Sequence, residues 1–178
     1  MTIGRSLSAL LLVIVPSVAA SACGGGGGHA GESSMPASAA SPLVAKPLPD
    51  FQRRTIAGET IDTKGLRGRV VVVKFFAKYC EPCKRTLPAM QKLSRDRADV
   101  AFVGVAEDER ASDVQEMIDG FGLSFPIVHD QGNVLSGRYR VTDMPVTVVA
   151  DRAGVVRWVG GPGQSEEDLA RALAAVGQ

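Results

Sequence analysis

Two cysteines, Cys80 and Cys83, enclose Glu81 and Pro82 directly after the apolar run 70–77, Val-Val-Val-Val-Lys-Phe-Phe-Ala. A run of that length, rich in β-branched and aromatic residues, predicts a strand buried in a sheet. The next stretch, Glu81 to about Arg95, carries Leu87, Met90 and Leu93 at helical spacing. Cys80 therefore falls at a strand-to-helix junction, where free backbone N–H groups and the positive end of the macrodipole favour an anion. The thiolate is such an anion, and it is the reactive form of cysteine. Lowering a thiol from 8.5 to about 7 requires roughly 2 kcal/mol, which a partly buried helix terminus can supply. Glu81, next to Cys80, opposes part of that effect.

Phe51 to Ile61 alternates around Ala57-Gly58-Glu59 and predicts a short hairpin. Phe102 to Ala106 reads as a second apolar strand. Ser112 and Gln115 form a capping-box signature before Val114, Met117, Ile118 and Phe121, so a helix is expected there. Phe125 to Val128 is short and extended. Val146 to Ala150 and Val155 to Val159 flank Asp151-Arg152-Ala153-Gly154, a hairpin signal. Ser165-Glu166-Glu167-Asp168 opens a helix with Leu169, Leu173 and Val176 on one face. Alternating strands and helices that close with a hairpin and a helix predict an α/β layer structure.

With 178 residues, 45% of them hydrophobic, the chain suits one globular domain with appendages. A formal net charge of +1, without a long basic stretch, gives no basis for nucleic-acid binding. Leu7 to Val15 has the length of a signal-peptide apolar region and is too short to span a bilayer as a helix. Ala19-Ala20-Ser21-Ala22 then precede Cys23, and this arrangement resembles the lipobox of bacterial lipoproteins, in which the cysteine is lipidated. Residues 1–22 are thus expected to be a lipoprotein signal peptide. Export would place the domain where disulfides persist, with Cys23 spent on a lipid and Cys80 and Cys83 left as the thiol pair. Gly24 to Gly28, and the Ser, Ala and Pro that dominate up to Ala45, predict a flexible tether over 23–46. Such a coil would span about 25–30 Å, and His29 within it reads as a solvated residue.

Residues 75–84, Phe-Phe-Ala-Lys-Tyr-Cys-Glu-Pro-Cys-Lys, followed by Met144-Pro145-Val146-Thr147, resemble the thioredoxin superfamily. The branch most similar is the membrane-tethered thiol–disulfide oxidoreductases of the TlpA/ResA type, and the likeness runs from about Pro47 to Gln178. The resemblance implies a thioredoxin-like fold over 47–178, with a central mixed sheet flanked by helices and an N-terminal hairpin extension. It implies that Cys80 and Cys83 are the catalytic redox-active disulfide, with Cys80 the exposed nucleophile and Cys83 the resolving sulfur. Pro145 would be a cis-proline facing that disulfide. Met144 would pair its backbone with a substrate chain. No cofactor and no metal are expected. The implied partners are exported proteins with disulfides or thiols and an unidentified membrane electron donor, and the protein is expected to be a monomer.

Three positions depart from the pattern. Tyr79 stands where tryptophan usually precedes the first cysteine, and Thr86 replaces an acidic residue seen in members that serve cytochrome c maturation. Lys74 lies six residues before Cys80, where thioredoxins have a buried acid. A Lys74 that points toward Cys83 would stabilise a thiolate or shuttle a proton. The expected alternative is that its stem packs and its amine reaches water. Glu107, after the second strand, matches an acidic residue in some relatives and is equally compatible with a surface position.

Two other functions compete with disulfide reduction. A peroxiredoxin-like thiol peroxidase would need a Pro-x-x-x-Thr-x-x-Cys context, and Val73 and Ala77 occupy the Pro and Thr positions. A copper chaperone of the same fold spaces its cysteines by three residues, and the domain offers only His129 as a further ligand. The expected function is an exported, membrane-anchored protein disulfide reductase.

Overall fold

The computed structural model describes Met1 and residues 34–177. The signal-peptide segment, Cys23, the glycine run and His29 lie outside the described residues.

The sheet is built around β3 (Val70–Phe76), every residue of which is buried. β4 (Val100–Ala106) runs parallel to it, and β6 (Val146–Ala150) runs antiparallel on its other side. β5 (Ile127–His129) pairs parallel with β4, and β7 (Val156–Gly160) pairs antiparallel with β6. The order is therefore β5-β4-β3-β6-β7, a mixed five-stranded sheet. A central strand with neighbours on both sides and layers on both faces must be apolar throughout, which explains the uninterrupted run. A separate hairpin, β1 (Gln52–Arg54) with β2 (Thr60–Asp62), precedes the sheet. Its turn contains Gly58 at φ +92°, a conformation that glycine adopts without penalty.

The strand period of two divides β3 between two cores. Val72 and Phe76 face α1 (Glu81–Asp96), α2 (Ala111–Phe121) and α4 (Glu166–Val176), packing with Leu87, Met90, Met117 and Leu173. Val71, Val73 and Phe75 face the other way, against the short α3 (Val134–Arg138), Tyr139, Leu43 and Phe51. Gly104 of β4 lies in the first layer because it has no room for a side chain. A Cβ there would stand 2.9 Å from Ile127, 3.0 Å from Phe76 and 3.1 Å from Phe125.

Several boundaries differ from the sequence reading. Residues 37–46, assigned to the tether by composition, are held along β7. Ala39 N–H donates to Val159 O at 2.7 Å, Ala45 N–H to Val156 O at 2.8 Å, and Trp158 Nε1 to Ala37 O at 3.2 Å. Leu43 is buried beneath them, so the ordered unit starts before Pro47. Backbone pairing on an open strand edge does not require apolar side chains, and composition could not reveal it. The capping box expected at Ser112 and Gln115 is not formed. α2 begins two residues earlier, its N-cap is Arg110 with no side-chain cap, and Ser112 sits within the first turn. The box at Ser165 and Asp168 is present in full. β4 begins at Val100 rather than Phe102. The turns of α3 and the 3-10 segment Thr63–Leu66 had no periodic signal.

Candidate active site

Parallel pairing of Phe76 with Ala106 brings the ends of β3 and β4 to one edge of the sheet. At such carboxyl ends, loops rather than strands supply reactive groups. Cys80 is the N-cap of α1, in an extended conformation (φ −88°, ψ 96°), and Pro82 lies in the first turn, where no intrahelical donor is lost. Cys80 and Cys83 form a disulfide with Cα atoms 5.2 Å apart. The Cys83 N–H donates to Cys80 O at 3.0 Å and also to Cys80 Sγ at 3.2 Å, so a donor of the helix's first turn is shared with the outer sulfur. Cys80 retains 6% exposure and Cys83 none. One sulfur borders solvent and the other belongs to the core of α1, with Leu87 and Met90.

A groove of about 560 Å³ opens on Cys80. Residues 79–82 form one wall and residues 141–144 another, and Glu107 also lines it. Tyr79 is 70% exposed and presents an aromatic surface beside the sulfur. Met144-Pro145 is a cis peptide bond, Pro145 is buried, and the Met144 N–H donates to Asp143 Oδ1 at 2.9 Å. Glu81 is exposed and paired with Lys84 at 2.6 Å, which offsets its charge beside Cys80.

Glu107 follows β4 directly, and its N–H donates to Phe76 O at 3.0 Å. Its Oε1 is enclosed without a hydrogen-bond partner. Burial pushes the Glu107 carboxyl above the usual range, the Ser136 hydroxyl partly offsets this, and Asp130 and Asp108 add to it. Asp108, which sequence reasoning missed, accepts the Lys78 N–H at 2.9 Å and so fixes the turn that carries Tyr79 and Cys80. Burial raises its carboxyl as well. The parallel β3–β4 pairing was the signal available for both acids, since residues following paired strands share one edge.

Lys74 corrects the expectation that its amine reaches water. It is fully buried at the centre of β3, and its Nζ hydrogen-bonds Thr147 Oγ1 at 3.3 Å on β6. Strand neighbours on both sides and α1 above leave the stem no route to the surface. Burial brings its pKa down to about 7. Thr86 points away from the groove, donating to Cys83 O at 3.1 Å. Among the described residues no cluster of three or more His, Cys, Asp or Glu is arranged to hold a metal. His129 Nε2 instead lies 2.6 Å from Asp108 O.

A family model for the AhpC/TSA family matches residues 44–159. The chain belongs to the AhpC/TSA family. It is 33% identical over 113 residues to the thioredoxin-like protein YneN of Bacillus subtilis, spanning 61% of this chain and 66% of that one. It is 32% identical over 120 residues to the thiol–disulfide oxidoreductase ResA of Halalkalibacterium halodurans, spanning 66% and 68%. Among solved structures, a secreted Mycobacterium tuberculosis disulfide oxidoreductase homologous to Escherichia coli DsbE matches with a TM-score of 0.66 and 26% identity. That match covers 70% of this chain and 95% of the other. The sheet order, the helix-capping cysteine pair and these likenesses are those of a ResA-type thiol–disulfide oxidoreductase with a thioredoxin-like fold. At the positions where a peroxide-reducing relative would carry Pro and Thr, this family member has Val73 and Ala77, both fully buried.

Proposed function

We propose that the protein reduces disulfides of exported proteins by exchange through Cys80 and Cys83. The observation that carries this reading is the unequal placement of the two sulfurs. Cys80 borders the groove at a helix N-terminus, and Cys83 lies behind it in the core. In the reduced protein the Cys80 thiolate attacks one sulfur of a partner disulfide. A Cys80–partner bond forms, and the partner's other sulfur leaves as a thiolate that takes a proton from water. Cys83 then attacks Cys80, the mixed disulfide breaks, and the partner's second thiol is released. Two electrons pass to the partner, and the Cys80–Cys83 disulfide remains to be reduced by a membrane electron donor.

The residues around the pair supply positioning and charge. The backbone at Met144, preceding cis-Pro145 on the facing wall, would hold the partner chain in an extended form. Glu107 adds a carboxylate beside the groove that opposes the Cys80 thiolate, and Glu81 adds little because Lys84 pairs with it. Lipidation of Cys23 would anchor the domain to a membrane on the exported side. The alternative of a thiol peroxidase is disfavoured because Ala77 offers no hydroxyl to hold a peroxide.

Equilibration of the Cys80–Cys83 couple with glutathione buffers tests the direction. A reductase is expected to lie near the thioredoxin value of about −270 mV, and a value near −120 mV would mark an oxidant and overturn the reading.

A further inference from the structure

Met144 closes the groove wall that faces Cys80, and its backbone lies just outside the sheet. Pro145 has no N–H, and the β3–β6 ladder begins only at Val146. Among the described residues Met144 makes no backbone–backbone hydrogen bond. Unpaired groups of this kind are what an extended partner chain adds to. The Met144 N–H is nevertheless occupied, because it donates to Oδ1 of Asp143, the residue before it, at 2.9 Å. Asp143 is exposed and lines the groove, and among the described residues it forms no ion pair. A carboxylate is a stronger acceptor than a peptide carbonyl. A partner carbonyl that takes the Met144 N–H therefore replaces a charge-assisted bond with a neutral one. It also turns the Asp143 carboxylate out beside the partner chain. The groove offers that carboxylate no compensation. Its lining holds two other acids, Glu81 and Glu107, and no basic side chain. Lys84 is already paired with Glu81 at 2.6 Å. Lys78 and Arg110 line a second hollow that shares Tyr79, and both are bonded there to Asp113. The missing cation has to arrive with the partner.

We propose that Asp143 is a specificity-determining residue of the exchange reaction. It holds the Met144 N–H in the free protein and selects partner segments that carry lysine or arginine next to the attacked cysteine. This rests on the exchange reading of the groove, with Met144 as the residue that pairs with the partner. A strand advances about 3.3 Å per residue. A chain that pairs with Met144 and presents its sulfur to Cys80 thus brings a side chain next to its cysteine within reach of Asp143. A cation at that position restores the partner that the Asp143 carboxylate has lost. A neutral side chain leaves the carboxylate to water alone. An acidic side chain is opposed by Asp143 and Glu107 together, since both line the same groove.

The test compares the rates at which the reduced protein reduces disulfide-bonded model peptides with Arg, Gln or Glu beside the cysteine. Each rate is divided by that for hydroxyethyl disulfide, which has no peptide backbone, so that changes in the Cys80 thiolate cancel. The parent is expected to favour Arg over Gln and Gln over Glu, each by about twofold to fivefold, the range of one exposed ion pair. Asp143→Ala leaves the Met144 N–H free and is expected to raise the Gln-peptide ratio by about twofold to tenfold. Asp143→Asn keeps an acceptor for that N–H without the charge. It is expected to narrow the preference for Arg over Gln, and to raise the Gln-peptide ratio less than Asp143→Ala does. A parent without a preference for Arg would overturn the proposal, as would an unchanged preference in Asp143→Asn. A Gln-peptide ratio in Asp143→Ala no higher than the parent's would overturn it too. Reduction of hydroxyethyl disulfide by the parent tests the exchange reading separately. A parent that reduces neither it nor the peptides sinks both readings, and a parent that reduces them all, with Asp143 variants behaving as it does, sinks only the role of Asp143.

Discussion

Replacing Lys74 by Met should stabilise the oxidised protein, and by more at acid than at alkaline pH. The lysine's pKa is 10.5 when unfolded and about 7 when buried in β3. Below pH 7 the amine is charged in both states, and folding bears the full penalty of burying it. Between 7 and 10.5 the unfolded chain binds the extra proton, so stability rises with pH, and above 10.5 the penalty is gone. With 1.36 kcal/mol per pKa unit, the penalty is about 5 kcal/mol at pH 6 and about 2 kcal/mol at pH 9. Met fills a similar volume but leaves the buried Thr147 hydroxyl without its partner, which returns roughly 1 kcal/mol. The net gain is then about 4 kcal/mol at pH 6 and about 1 kcal/mol at pH 9. Urea unfolding of both proteins at the two pH values, disulfides intact, measures it, and the difference between variants cancels every other titrating group. A Lys74→Met protein less stable than the parent at pH 6, or a gain that does not shrink with pH, would refute the reasoning.

Other perturbations have equally definite signs. Gly104→Ala forces a methyl within about 3 Å of Ile127, Phe76 and Phe125, and urea unfolding should show a loss of about 1–3 kcal/mol. Ser165→Ala removes the capping box of α4 and should lower stability by about 1 kcal/mol in the same assay. Glu107→Gln takes a carboxylate from beside the Cys80 groove. The pH midpoint of Cys80 alkylation should fall by about half a unit to one unit, because a nearby anion opposes the thiolate. A midpoint that rises would place Glu107 in another role.

The strand before Cys80 was legible because a central strand tolerates no polar alternation, and the helix after it because Leu87 and Met90 repeat at the spacing of one buried face. The hairpin at β6–β7 and the box at Ser165 were legible from local turn and cap chemistry. Segments held by backbone pairing were not. Ala37 to Lys46 looked like tether because its order comes from β7 rather than from its own side chains. Ser112 and Gln115 matched a cap by spacing alone, while the helix began two residues earlier with Arg110 bonded to Asp113. At the site, Cys80, Cys83 and the Met144-Pro145 turn stood out as motifs. Asp108 did not, because its importance lies in a single bond to the Lys78 N–H across the sheet edge. The fate of the Lys74 amine was likewise beyond the sequence. A long stem can reach water from an edge strand, and only the placement of β3 between β4 and β6 closes that route.

The central claim is that Cys80 attacks and Cys83 resolves. It is tested most directly by mass spectrometry of Cys83→Ser and Cys80→Ser proteins after reaction with a disulfide-bonded model peptide. Cys83→Ser is expected to accumulate a covalent adduct mapped to Cys80, and Cys80→Ser, whose remaining sulfur is fully buried, is expected to accumulate none. An adduct formed preferentially on Cys83 would contradict the assigned order of attack.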